Sequence, residues 1–206
     1  MRFVRFAIAA AALATLSSPA VAGYKLMPAN TRVAIAKSAL TVTPSRDWNR
    51  LGGRVGRNAE SWTLDGLTLN DVTFYAGIEN DRTLFREVGK KEKPLPRYSA
   101  TMLAPDVVQL FEGSYRIANA TSLFSVDGIE PATFAGHSGF RFHYTFTVQG
   151  EEVKRKGEAN GAVVGGKLYM MTFEAPTIHY YDTFLESYRK MVGTAQIAAA
   201  AGKSRS

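Results

Sequence analysis

Three histidines and no cysteine set the limits of proton-transfer and metal chemistry in this 206-residue chain. In Ile178-His-Tyr-Tyr-Asp182, His179 and Asp182 stand three residues apart. On one helix face that spacing lets the carboxylate orient the imidazole as a general base. The same spacing equally describes a weak ion pair on a solvated face, and no nucleophile lies nearby in sequence. Gly136-His-Ser-Gly139 begins like a nucleophile elbow, but that motif needs glycine two residues after the serine, where Phe140 stands. It also leads into a strand pattern instead of a helix, so it reads as a turn. His137, His143 and His179 lack the close spacing of paired metal ligands, and the absence of cysteine excludes thiolate zinc sites and thiol nucleophiles. Glu151 and Glu152 fall in a hairpin turn, which disfavours paired-carboxylate catalysis. Neither a G-x-G-x-x-G stretch nor a phosphate-binding P-loop is present. The chain is therefore read as non-catalytic, with no cofactor and no metal. A hydrolase using His179 with Asp182, or His137 with Ser138, is the competing reading.

Binding chemistry is better represented. Arg46, Arg50, Arg54 and Arg57 lie in one loop-like stretch offset only by Asp47, and Trp48 sits among them. Arginine and tryptophan are enriched at binding hot spots, so Arg46, Trp48, Arg50, Arg54 and Arg57 are the candidate partner-binding residues. Trp48 and Trp62 also suit the core or its rim. A second basic stretch holds Arg86, Lys90, Lys91, Lys93 and Arg97. Clusters of this kind attract anionic envelope polymers, lipid headgroups or acidic proteins, and they also describe an ordinary solvated basic surface. Nucleic acid is not expected, because aromatic and basic residues do not interleave in any recognition motif. A different binding reading uses Phe140, Phe142, Tyr144, Phe146, Tyr169 and Phe173, which would line a cavity for an apolar or amphiphilic ligand or else pack as a core.

The elements that must position these residues follow from patterning. Arg2 and Arg5 precede an apolar run from Phe6 to Leu16, and Ala20-Val21-Ala22 fits the small-residue cleavage rule. Residues 1–22 are thus expected to be a cleaved signal peptide, which places the protein in the periplasm or medium. The formal charge is +7, and removing Arg2 and Arg5 leaves +5. Residues 23–38 are expected to form an N-terminal arm, 39–197 a single domain, and 198–206 a flexible tail.

Within the domain, Ala39–Thr43 alternates as a strand stopped by Pro44, and Ser61–Leu64 and Leu67–Ile78 read as strands joined at Asp65-Gly66. Ala104–Ala118 has helical spacing, with Pro105 and Asp106 in its first turn. Phe140, Phe142, Tyr144, Phe146 and Val148 alternate with Arg141, His143, Thr145 and Thr147, a strand with an aromatic face. Glu152–Val164 returns, with a bulge expected at Gly157 or Gly161. Gly165-Gly166 turns the chain into Lys167–Phe173, and Pro176 ends that strand. The last helix takes Thr177 as its cap, with Ile178, Tyr181, Leu185, Tyr188 and Val192 as its apolar stripe. Helices far apart in sequence on an antiparallel sheet describe an α+β sandwich.

The order of these elements resembles a known fold. Leu40-Thr-Val-Thr-Pro44 is followed closely by Trp48, and a middle helix follows the first sheet segment. Phe134-Ala-Gly136 precedes the aromatic strand, and the hairpin Gly165-Gly-Lys-Leu-Tyr169 runs on to Ala175 before a final helix at Tyr188-Arg-Lys-Met191. This is similar to the Mog/PsbP-like αβα sandwich, which includes the DcrB-like envelope proteins. The resemblance covers about residues 39–193. It implies an accessory or binding protein, in a group whose members have different partners, and it carries over no catalytic residues. Taken with the basic clusters, the expected partner is an envelope protein or an anionic envelope component.

Overall fold

The computed structural model describes residues 23–87, 94–121, 123–148 and 150–198. The expected signal peptide, Lys90, Lys91 and Lys93, and the tail after Ala198 lie outside these residues.

Strands β1 (Tyr24–Met27), β2 (Val33–Ala34), β3 (Leu40–Val42), β4 (Trp48–Leu51), β5 (Ala59–Thr63) and β6 (Asp71–Ile78) precede helix α1 (Ala104–Ala118). Strands β7 (Phe124–Phe134), β8 (His137–Thr147), β9 (Lys154–Val164) and β10 (Lys167–Pro176) then lead to helix α2 (Tyr180–Gly193) and strand β11 (Gln196–Ile197). An antiparallel sheet runs in the order β1-β4-β5-β6-β10-β9-β8-β7, and β11-β3-β2 form a second, small sheet. Helix α1 covers one face of the large sheet, against β7 and β8. Helix α2 covers the other, against β9 and β10, and the small sheet shares that face's core.

Period-two alternation divides the core. Tyr75, Phe140, Phe142, Tyr144, Phe146, Leu168 and Met170 pack with Phe111 and Tyr115 of α1. Val72, Phe74, Ala76, Tyr169, Met171 and Phe173 pack with Tyr181, Tyr188 and Met191 of α2. The aromatic residues read as one possible cavity lining therefore belong to opposite faces. On the α1 face they fill their layer, with the Phe111 ring 5.2 Å from Tyr144 and 5.5 Å from Phe142.

Helix α1 has the expected bounds. Asp106 Oδ2 accepts from the Leu103 amide at 2.9 Å, and Gly113 sits where Pro96 packs against the helix. Both two-residue hairpins, at Ala135-Gly136 and Gly165-Gly166, have positive φ at both positions, as tight antiparallel turns require.

Several expectations need correction. Residues 23–38 are not an arm apart from the domain: they supply β1, which pairs with β4, and β2, which pairs with β3. Strand β6 begins at Asp71 and not at Leu67, because buried Asn70 locks the preceding turn. Its Oδ1 accepts from the Leu64 amide at 2.7 Å and its Nδ2 donates to Asp65 at 2.8 Å. Strand β9 runs through Gly157 and Gly161 without a bulge; the register shifts instead in β7 at Val126/Gly128 and in β6 at Gly77, opposite Leu168/Tyr169 of β10. Strand β10 continues past Phe173 and ends at Pro176, as expected, opposite Arg155. Thr177 does not cap α2. Its hydroxyl donates to the Lys154 carbonyl, and His179 precedes the helix with φ 70°. That kink turns Ile178 out of the apolar stripe, leaving it 74% exposed.

Candidate functional site

The arginine-rich segment does not form one continuous loop. Trp48 and Arg50 lie on β4, and the chain then leaves the sheet through Gly52–Asn58 before β5 begins. Trp48 is 0% exposed and packs in the α2-face core, so it touches no partner; it is a core residue. Arg46 stays exposed, but its guanidinium lies over the Phe184 ring of α2 at 5.5 Å.

Arg50, Arg54 and Arg57 do converge. They line a cleft of ≈ 340 Å³ together with Lys37, Glu60 and the glycines at 52 and 53. Lys37 belongs to the segment between β2 and β3, where Ala36 and Lys37 both have positive φ (48° and 57°). Glu60 holds that turn against the large sheet: its Oε2 accepts from the Ala36 amide at 3.0 Å, and its Oε1 accepts from the Trp62 indole at 2.9 Å. Arg50 lies 3.8 Å from the same carboxylate.

Glu60 is the one acidic residue among those lining the cleft, is 7% exposed, and is already occupied by these donors. Among the described residues, Lys37, Arg54 and Arg57 form no ion pair within 4 Å, although Arg57 lies in the field of Glu79. Four cations around one engaged carboxylate make a concave site of positive potential, suited to an anion. Arginine adds the geometry for paired hydrogen bonds to phosphate or carboxylate oxygens.

A second cavity of ≈ 580 Å³ adjoins it and shares Ala36 and Lys37 as wall. Ala39, Ala76, Val164, Tyr169 and Ile197 line it together with His137 and Lys167. Glu79 pairs with Lys167 at 2.8 Å.

The histidines do not assemble. His137 opens β8 on the exposed hairpin with Ser138 beside it. His143 lies six residues along the same strand, about 20 Å away at the usual strand rise. His179 is exposed, and no ion pair joins it to Asp182 among the described residues. No group of three histidine, aspartate or glutamate side chains among the described residues can hold a metal ion.

Two polar clusters escaped the sequence reading. On the α2 face, fully buried Glu158 accepts from Arg189 Nη2 at 2.6 Å and from Arg189 Nε at 3.0 Å, and meets His143 Nε2 at 3.1 Å. Burial pushes this carboxyl up, but hydrogen bonds from Arg189 and Asn160 outweigh burial and hold it below the ordinary glutamate range. On the α1 face, Glu174 accepts from Tyr144 at 2.6 Å and from Tyr115 at 2.8 Å. Tyr144 reaches it across β9 because Gly157 lies between them: a Cβ there would stand inside the Tyr144 ring.

Asp71 is opposite Glu174 in register. Its Oδ1 is sealed from solvent without a hydrogen-bond partner. Burial first, and the neighbouring Glu174 second, raise Asp71 from 3.8 to about 8, against the opposing Thr73 hydrogen bond and Arg155 charge. Burial raises Glu174 too, opposed by its two tyrosine donors and Arg155. Strand alternation alone does not foretell either cluster, since both depend on cross-strand register.

No protein-family model matches the sequence, and no curated protein matches it. Among solved structures, the chain is similar to the solution structure of cyanobacterial PsbP (CyanoP) from Synechocystis sp. PCC 6803. The identity is 13%, the TM-score 0.53, and the match covers 90% of this chain and 99% of that one. It also matches the crystal structure of LpqN, involved in cell envelope biogenesis of Mycobacterium tuberculosis, at 10% identity and a TM-score of 0.35 over 85% of this chain and 92% of the other. No helix of the described residues is long and apolar enough to cross a membrane. An antiparallel sheet covered by one helix on each face, together with the CyanoP likeness, gives the chain a PsbP-like α+β fold.

Proposed function

We propose that this chain is an exported, non-catalytic accessory or binding protein of the cell envelope, and that it holds an anionic partner at the cleft formed by Lys37, Arg50, Arg54 and Arg57. The observation carrying this reading is the convergence of four cations on a concave surface whose single acidic residue, Glu60, is already engaged. Export to the periplasm or medium rests on the leader-like residues 1–22. The non-catalytic reading is supported by the placement of His137, His143 and His179, none of which, among the described residues, meets a nucleophile and an orienting group at one pocket.

The test is titration of the purified protein with inorganic polyphosphate at low and high salt. Arg54→Glu with Arg57→Glu is the chosen variant, because both side chains are exposed and neither holds Glu60. The expected result is salt-sensitive binding that the double reversal removes while the thermal transition stays in place. Equal binding by both proteins would overturn the assignment of the cleft.

A further inference from the structure

We infer that the ligand of the basic cleft is a single-chain anionic amphiphile, with its head among Lys37, Arg50, Arg54 and Arg57 and its apolar chain in the adjoining cavity. This rests on the cleft reading above and extends it to the chemistry of the ligand.

The two cavities adjoin at the Ala36-Lys37 turn, which lines both, so a ligand with two dissimilar ends can lie across that turn. Their linings differ. The first carries the three arginines, whereas the second is walled mainly by Ala39, Ala76, Val164, Tyr169 and Ile197, with Lys37 and Lys167 also lining it.

The second cavity exists because the small sheet stands off the large one at this end on small residues. Elsewhere on the same face large rings close the gap, with Phe173 5.5 Å from Tyr188 and 5.7 Å from Tyr181. Here the facing positions are Ala36, Ala39, Ala76, Gly77 and Gly165. The phenol end of Tyr169 lies against Gly77, where an added Cβ would come within 3.2 Å of it, so this glycine leaves room for the ring along the cavity wall.

Charge assigns the orientation. Lys167, which lines the apolar cavity, is matched by Glu79. Lys37, Arg54 and Arg57 have no ion-pair partner among the described residues. A small hydrophilic anion would leave the apolar wall wet, and an uncharged chain would leave the cations unmatched. An amphiphile satisfies both, and each volume lies in the range of small-ligand sites.

The experiment compares ethyl phosphate, dodecyl phosphate below its micelle concentration, and uncharged dodecyl maltoside, by calorimetric titration of the purified protein. Dodecyl phosphate should bind at least about 10-fold more tightly than ethyl phosphate, since each methylene taken from water contributes roughly a factor of four. Ala39→Trp, which fills the apolar cavity, should erase that gain and leave ethyl phosphate unchanged. Ala198→Trp serves the same purpose from the far side if the first variant fails to fold. Arg54→Glu with Arg57→Glu should remove both phosphates. Equal binding of the two phosphates overturns the amphiphile and leaves the anion cleft standing. Dodecyl maltoside binding as tightly as dodecyl phosphate also overturns it, because the head is then not read. Failure of both phosphates to bind removes the cleft reading together with this one.

Discussion

Replacing Asp71 by asparagine should make the protein more stable at alkaline pH and change it little in acid. Asp71 and Glu174 lie side by side on β6 and β10 beneath α1. Glu174 has two tyrosine donors to support its charge, whereas Asp71 has Thr73 on one oxygen and nothing on the other. Glu174 therefore ionises first, and Asp71 keeps its proton to about pH 8 in the folded protein against 3.8 as its ordinary value. Because the folded state binds the extra proton, its stability is fullest below the unfolded value and falls as pH rises towards 8. At 1.36 kcal/mol per decade of proton affinity, the ceiling on that loss is about 6 kcal/mol. Relaxation around the carboxylate and entry of water bring the expected effect to about 2–3 kcal/mol. Asparagine is nearly isosteric, keeps an oxygen for Thr73 and never ionises. Urea denaturation of the two proteins at pH 5 and pH 8.5 measures the difference directly. The advantage of Asp71→Asn should grow by about 2 kcal/mol between the two conditions. Parallel stability curves, or a variant that loses more at pH 8.5, would show that Asp71 is solvated and ionised in the fold and that the reasoning is wrong.

Gly157→Ala should cost about 2–4 kcal/mol, because the new methyl displaces the Tyr144 ring from its path to Glu174. In a Tyr144→Leu background the same change should cost much less, which thermal denaturation of the four proteins of the cycle would reveal. Arg189→Ala should cost about 3 kcal/mol at pH 7 by leaving Glu158 buried without its main partner. Since Glu158 is held below its ordinary range, the stability it contributes is present above about pH 4.5 and is lost as pH falls. The Arg189→Ala penalty should shrink accordingly in denaturation measured at pH 4, and a penalty constant with pH would point to lost packing instead.

Where local pattern determines structure, the sequence was legible. Pro105 and Asp106 mark the start of α1, Gly165-Gly166 places a hairpin, and the alternation from Phe140 to Phe146 orients β8. The arginines at 50, 54 and 57 were visible as a cluster because they are close in sequence. Their fourth partner was not. Lys37 occupies a turn whose two positive-φ residues are alanine and lysine, with none of the glycine or asparagine that usually announces such a turn. A long-range contact holds it, from Glu60 to the Ala36 amide, and no local pattern encodes that. Trp48 shows the converse. Its neighbours in sequence are charged, but strand alternation and the pairing of β4 with β1 and β5 carry its indole into the core. The Asp71–Glu174 pair escaped for a similar reason, since residues 103 apart in sequence meet only through the β6–β10 register.

The two faces of the sheet resolve the same packing problem differently, and this separates the structural charges from the available ones. On the α1 face, rings from α1, β7 and β8 fill the layer, and the polar residues at one end turn inwards on each other. On the α2 face, α2 covers only part of the sheet, and β2, β3 and β11 must cover the rest. A three-stranded sheet of two- and three-residue strands carries few large side chains, so it cannot close the layer by packing alone. Glu60 substitutes by tying its Ala36-Lys37 turn to the large sheet through hydrogen bonds. These neutral donors leave the Glu60 charge intact, and it offsets only one of the four cations Arg50, Arg54, Arg57 and Lys37 that line the cleft. The residue that holds the small sheet in place is thus also a wall of the cleft, so loss of Glu60 should loosen the turn and raise the cleft's positive charge together.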